Sequence, residues 1–167
     1  MDRITELAGQ LGEALLESCA QVTTAESCTG GGIAEAITRI AGSSAWFEAG
    51  YVTYSNRQKT LMLQVPEQLF ASQGAVSLPV VEAMARGAQQ HSGARHAVAV
   101  SGIAGPDGGT PDKPVGTVCF AWAHGGELLS ERLCFSGDRA AVRRKTVEYA
   151  LNGLLSGIRR AAEKGAD

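Results

Sequence analysis

The stretch Gln21-Val22-Thr23-Thr24-Ala25-Glu26-Ser27-Cys28-Thr29-Gly30-Gly31-Gly32-Ile33-Ala34 decides how this chain folds. Residues 21–25 are few and rich in β-branched side chains, which suit a pleated, half-buried strand. Glu26 to Gly32 then form a glycine-rich break. Ile33, Ala34, Ala36, Ile37 and Ile40 follow it at helical spacing. The pattern is strand, loop, helix, with Ser27 at the junction.

Working outward, residues 2–18 carry Ile4, Leu7, Leu11, Ala14 and Leu15 three and four apart, an amphipathic helix. Gly42 and Ser43-Ser44 end the second helix, and Trp46 to Tyr54 reads as a second strand. Ser55-Asn56 is a cap for a helix running to Leu63. Pro66 opens a short helix through Phe70. Ser77-Leu78-Pro79 opens another, with Val80, Val81, Met84, Ala85 and Ala88 on its apolar face, ending near Gly93. His96 to Ser101 is a nearly continuous apolar run, as expected of a strand covered on both faces. Residues 102–114 form a loop of about thirteen residues, a length that in a compact domain marks function or disorder. Strands over 115–123 and 127–135 flank His124-Gly125-Gly126, a hairpin signal. Residues 138–160 form one long helix with Val142, Val147, Leu151, Leu154 and Ile158 inside.

Helices alternating with strands, then a terminal hairpin, predict an α/β fold: a three-layer α/β/α sandwich on a mixed, mostly parallel sheet. The 167 residues suit a single domain over 1–167. A net charge of -2 lacks the basic footprint of a nucleic-acid binder. With 44% hydrophobic and 19% charged residues the chain is not of disordered composition. No apolar run approaches the ~18 residues of a membrane span. The beginning Met1-Asp2-Arg3-Ile4-Thr5-Glu6 shows no secretory pattern, so a cytoplasmic protein is expected. Cys19, Cys28, Cys119 and Cys134 form no CxxC pair and are expected as reduced thiols. His91, His96 and His124 make no ligand pattern, so no metal site is expected, and each reads as a surface or packing residue.

In open α/β sheets ligands bind beyond the carboxyl ends of the strands, and both glycine-rich loops leave from such ends. Ser27 could be a nucleophile, its oxyanion held by neighbouring main-chain N–H groups and the helix N-terminus. The plainer reading from local sequence is an ordinary N-cap. Lys59, one turn into a helix that starts at a strand end, is the candidate base. It needs burial or a nearby cation such as Arg57 to lose its proton at neutral pH. The bland alternative is a solvated lysine. Tyr54 could hydrogen-bond both groups, or be an edge aromatic. Cys28 is a rival nucleophile but lacks a histidine partner, and is expected to pack. The loop 101–114 lacks a P-loop ending and opens no helix, so it is expected to offer main-chain donors to a ribose or phosphate, or to be a mobile lid. Arg139, Arg143 and Arg144 could meet a phosphate.

The motifs Thr24-Ala25-Glu26-Ser27-Cys28-Thr29-Gly30-Gly31, Gly42-Ser43-Ser44-Ala45-Trp46-Phe47, Val52-Thr53-Tyr54-Ser55-Asn56, Gly74-Ala75-Val76-Ser77, 101–109 and 113–118 resemble, in order and over nearly the whole chain, the CinA C-terminal domain family of PncC-type nicotinamide-nucleotide amidases. The resemblance implies a five-stranded mixed sheet in the stand-alone form of the family. It implies hydrolysis of nicotinamide mononucleotide (NMN) to nicotinic acid mononucleotide and ammonia, in pyridine-nucleotide salvage, with no metal or organic cofactor. By the same resemblance Ser27, Lys59 and Tyr54 are catalytic. Thr29, Gly30, Gly31, Asn56, Ser101, Gly102, Ala104, Gly105 and Arg143 are expected to bind substrate. Neither nucleic acid nor membrane is an expected partner; a homo-oligomer is. The alternatives are a non-catalytic nucleotide sensor on the same fold and a serine hydrolase of another small amide.

Overall fold

The structure, a computed structural model, describes residues 2–166. Helix α1 spans Arg3–Glu17, capped by Asp2, whose carboxylate accepts from the Thr5 N–H at 2.9 Å. Strand β1 (Val22–Glu26) leads to α2 (Gly32–Thr38), a 3₁₀ turn at Ser43–Ala45 and β2 (Phe47–Val52). Three helices follow: α3 (Asn56–Leu63), α4 (Gln68–Gln73) and α5 (Leu78–Ser92). The chain ends with β3 (His96–Gly102), β4 (Thr117–His124), β5 (Glu127–Cys134) and α6 (Arg139–Ala166).

The five strands form one sheet in the order β2-β1-β3-β4-β5. The β1–β2 and β1–β3 pairs are parallel, and β3–β4 and β4–β5 are antiparallel. Four strands therefore run one way and β4 alone runs back. The two faces differ in side-chain size. Val98, Val100, Val118, Phe120 and Trp122 point to the layer of α1, α2 and α6. Ala97, Ala99, Cys119, Ala121 and Ala123 point to the layer of α3, α4 and α5. Strict alternation along β3 and β4 sorts the two sets, since neighbours on a strand face opposite ways. The small face lets α5 lie close to the sheet. The large face is filled by α6, whose Ala150 carbonyl accepts from the buried Trp122 indole N–H at 3.0 Å.

Most expected elements stand within one or two residues of their places. The short helix begins at Gln68 and runs to Gln73, because Pro66 and Glu67 form only the turn that opens it. The last helix continues six residues past Arg160. Among the described residues no helix is long and apolar enough to cross a membrane.

The parallel arrangement gathers the chemistry-bearing segments. The carboxyl ends of β1, β2 and β3 share one end of the sheet, as does that of β5, so the chain delivers the first turn of α6 there as well.

Candidate active site

Ser27 leaves β1 tethered on both sides. Its N–H donates to the Val100 carbonyl at 3.2 Å, and its own carbonyl accepts from the Gly30 N–H at 3.0 Å. The second bond closes a tight turn over residues 27–30. Gly30 and Gly31 take φ of 60° and 102°, the left-handed region that glycine enters freely. Ser27 is 8% exposed, so its hydroxyl is sheltered yet reachable.

The N-cap reading of Ser27 is overturned. Helix α2 starts at Gly32 with Gly31 as its cap residue, four positions beyond Ser27. The head of α2 is capped from the strand instead. The Glu26 carboxylate, fully buried, accepts from the N–H of Ile33 at 2.8 Å and of Ala34 at 3.0 Å, and from the Thr29 hydroxyl at 2.5 Å. Those helix N–H groups are therefore not free to hold an oxyanion. Gly30 has also spent its N–H on Ser27. Among the described residues, the N–H groups of Cys28, Thr29 and Gly31 carry no hydrogen bond and remain available.

Lys59 stands on the first turns of α3, which Ser55 caps by accepting from the Gln58 N–H at 3.1 Å. Its side chain is 1% exposed and runs across the end of β2 to the end of β1. Nζ lies 3.0 Å from Ser27 Oγ and donates to the Tyr54 carbonyl at 3.2 Å. Burial holds the ammonium below the usual lysine range. Arg57 is not the cause: it is exposed on α3, and desolvation does the work. A neutral Nζ has one lone pair. With one N–H fixed on the Tyr54 carbonyl, that pair can face the Ser27 hydroxyl.

Tyr54 thus meets the pair through its main chain. The residue is 62% exposed and its hydroxyl accepts from Arg139 at 3.2 Å, so the phenol does not bridge Ser27 and Lys59. Cys28 is buried, and burial pushes its thiol up to about 12, which leaves no thiolate at neutral pH. Its Sγ lies 3.1 Å from where a side chain on Gly102 would begin, so the two glycine-rich segments touch at this point.

The loop after β3 is held at several points and is not a loose lid. Ile103 and Gly116 bond across its neck, at 2.7 Å from the Gly116 N–H to the Ile103 carbonyl. The Lys113 ammonium donates to the Gln73 carbonyl at 2.7 Å. Arg139 Nη1 donates to the Gly105 carbonyl at 3.0 Å. From the next turn of α6, Arg143 donates to the Thr29 carbonyl at 3.1 Å. The two arginines therefore lean over both glycine-rich segments. Ser101 is buried at the end of β3, and Ala104 and Gly105 are buried within the loop. Ala104, Pro106, Val115, Gly137, Asp138, Arg139 and Ala140 line a crevice of about 450 Å³. Asn56 stands apart: it is exposed at the start of α3 and makes no hydrogen bond to the pair among the described residues. A larger crevice of about 950 Å³ lies at the opposite end of the sheet, beside Gln21 and His96, away from Ser27 and Lys59.

One participant escaped the sequence reading. Glu26 ends a strand whose other four residues are uncharged, a signal that a buried carboxylate has donors waiting for it. Arg139 is one of the three candidate arginines on the last helix, and nothing local separates it from Arg144. Among the described residues no group of three acidic, cysteine or histidine side chains is placed to hold a metal.

Residues 4–158 match the family described as CinA C-terminal domain. The chain is 72% identical over 155 residues to the nicotinamide-nucleotide amidohydrolase PncC of Pseudomonas putida, covering 93% of this chain and 97% of that one. It is 58% identical to the protein of the same name from Escherichia coli K12, over 90% and 92% of the two chains. Its fold is similar to the crystal structure of competence/damage inducible protein CihA from Agrobacterium tumefaciens, with a TM-score of 0.91, 44% identity and coverage of 93% and 96%.

Proposed function

The chain belongs to the CinA C-terminal domain family, and we propose that it is a nicotinamide-nucleotide amidohydrolase that turns NMN and water into nicotinic acid mononucleotide and ammonia. The observation that carries this reading is the buried Lys59 amine 3.0 Å from the Ser27 hydroxyl, beside free main-chain N–H groups. The names of the relatives at 72% and 58% identity supply the substrate.

In the proposed reaction neutral Lys59 takes the Ser27 proton, and Oγ attacks the carboxamide carbon. The N–H groups of Cys28, Thr29 and Gly31 hold the oxyanion. Collapse breaks the C–N bond, and Lys59 returns its proton to the leaving ammonia. A water that gives its proton to Lys59 then attacks the acyl ester, and Ser27 leaves with that proton. The crevice lined by Ala104 and Pro106 takes the ribose, with Ser101, Gly102 and Gly105 offering main-chain groups to it. Arg143 and Arg139 take the phosphate, and its remote binding orients the amide. Tyr54 contributes its carbonyl, which aims the Lys59 lone pair. Residues 1–167 act as one domain, in the cytoplasm and as a homo-oligomer, a state that light scattering on the eluting protein would check.

The deciding experiment is coupled ammonia release from NMN, with bare nicotinamide alongside. Saturable release from NMN that falls by roughly 10³-fold or more in Ser27→Ala is expected, as for removal of an activated nucleophile. Saturable binding of NMN without ammonia would instead mark a sensor, and equal rates on bare nicotinamide would mark a general amide hydrolase.

A further inference from the structure

Ser27 owes its surroundings to its neighbour. Glu26 is fixed at both ends: its carbonyl accepts from the Thr53 N–H at 2.9 Å, and its carboxylate accepts three donors. Two of those donors belong to the head of α2. The third, the Thr29 hydroxyl at 2.5 Å, belongs to the middle of the turn after Ser27. A cap needs only the first two. The third ties a residue two positions from Ser27, whose own N–H carries no hydrogen bond among the described residues and whose carbonyl receives Arg143 at 3.1 Å.

We propose that Glu26 is a positioning residue of this site: through the Thr29 hydroxyl it sets the turn 27–30, so that the free N–H groups of Cys28 and Thr29 converge on the oxyanion. Glu26 touches no reacting atom. It sets the angle of the donors, and a misplacement of about 1 Å in such a group is enough to cost on the order of 100-fold in rate. The carboxylate suits the task because it is an acceptor on both oxygens, and all three of its partners are donors. A glutamine would present an amide N–H₂ to one of them.

The inference rests on the hydrolase reading, and its test separates the two. Steady-state kinetics with NMN are measured for Glu26→Gln, Thr29→Val, Thr29→Ser and the Glu26→Gln/Thr29→Val double variant. The expected result is a fall in kcat of roughly 100-fold for Glu26→Gln, with KM changed less than about threefold. Thr29→Val falls in the same way, Thr29→Ser recovers most of that loss, and the double variant is no slower than the worse single one, because both break one link. Losses that multiply in the double variant, or a Thr29→Val kcat within about threefold of the parent, overturn the proposal. If Glu26→Gln does not fold, the Thr29→Val and Thr29→Ser pair decides alone. A second readout needs no NMN: the rate at which a fluorophosphonate labels Ser27, whose phosphonyl oxygen uses the same N–H groups. A parent protein that releases no ammonia from NMN but labels at Ser27 sinks the NMN amidohydrolase reading, and the variants' labelling rates still judge Glu26.

Discussion

An ammonium ion at Lys59 would have 1% of its residue surface in water and, among the described residues, no carboxylate to meet it. Burial therefore favours the neutral amine, and this turns a common residue type into a usable base. This fixes the sign of the pH dependence. The proposed reaction needs neutral Lys59, so kcat/KM is expected to rise with pH as the proton leaves, with a midpoint below the lysine value of 10.5. A pH–rate profile checks this. Lys59→Arg keeps the charge but cannot shed it, so turnover is expected to fall by about 10²–10⁴ with the fold retained. Cys28→Ala is expected to stay within about threefold of the parent, since the thiol is buried and protonated. The structure brings the side chains of Ser27 and Lys59 within 3.0 Å, and both were legible in the chain as candidates. The spent N–H of Gly30, the role of Glu26 and the outward turn of Tyr54 were not, because each depends on where a partner from another segment lies.

Helix α3 carries Lys59, and its place is set by close contact with α5. A Cβ on Gly87 would overlap the Leu63 carbonyl oxygen, so this helix crossing tolerates no side chain there. Gly87→Ala is expected to destabilise the protein by about 1–3 kcal/mol, an overpacking cost. The urea midpoint measures it. Turnover should drop as well, because α3 must shift. Strands and helices were readable from periodicity and caps: Ser55 caps α3, and the His124-Gly125-Gly126 signal is the β4–β5 hairpin. The pinned loop after β3 was not, since its tethers come from Gln73, Arg132 and Arg139, distant in sequence.

At the scale of the whole molecule, the sheet holds a second buried pair far from Ser27. His96 opens β3 and His124 ends β4; they face each other in register with Nδ1 atoms 2.8 Å apart. One must donate and the other accept, so the two cannot both be protonated, and His124 Nε2 has no partner among the described residues. Burial, with His124 facing His96 and Arg160 facing His124, pushes each down to about 4. An unfolded chain takes up protons near 6.5, which the folded one refuses until about 4. Stability is therefore full above 6.5 and is lost as pH falls toward 4. The loss is on the order of 3 kcal/mol for one such group. Melting temperatures across this range test it, and His96→Asn should flatten the acid limb. By itself the sequence determined the layers and the order of elements, because alternation, helical spacing and turn chemistry are local, and it offered Ser27 and Lys59 as candidates through their motifs. Only the tertiary structure decided which N–H groups stay free, which side chain meets Lys59, and which arginines lean over the loops. Those outcomes depend on hydrogen-bond partners from separate segments, and the parallel strands of the mixed sheet bring these together at one end.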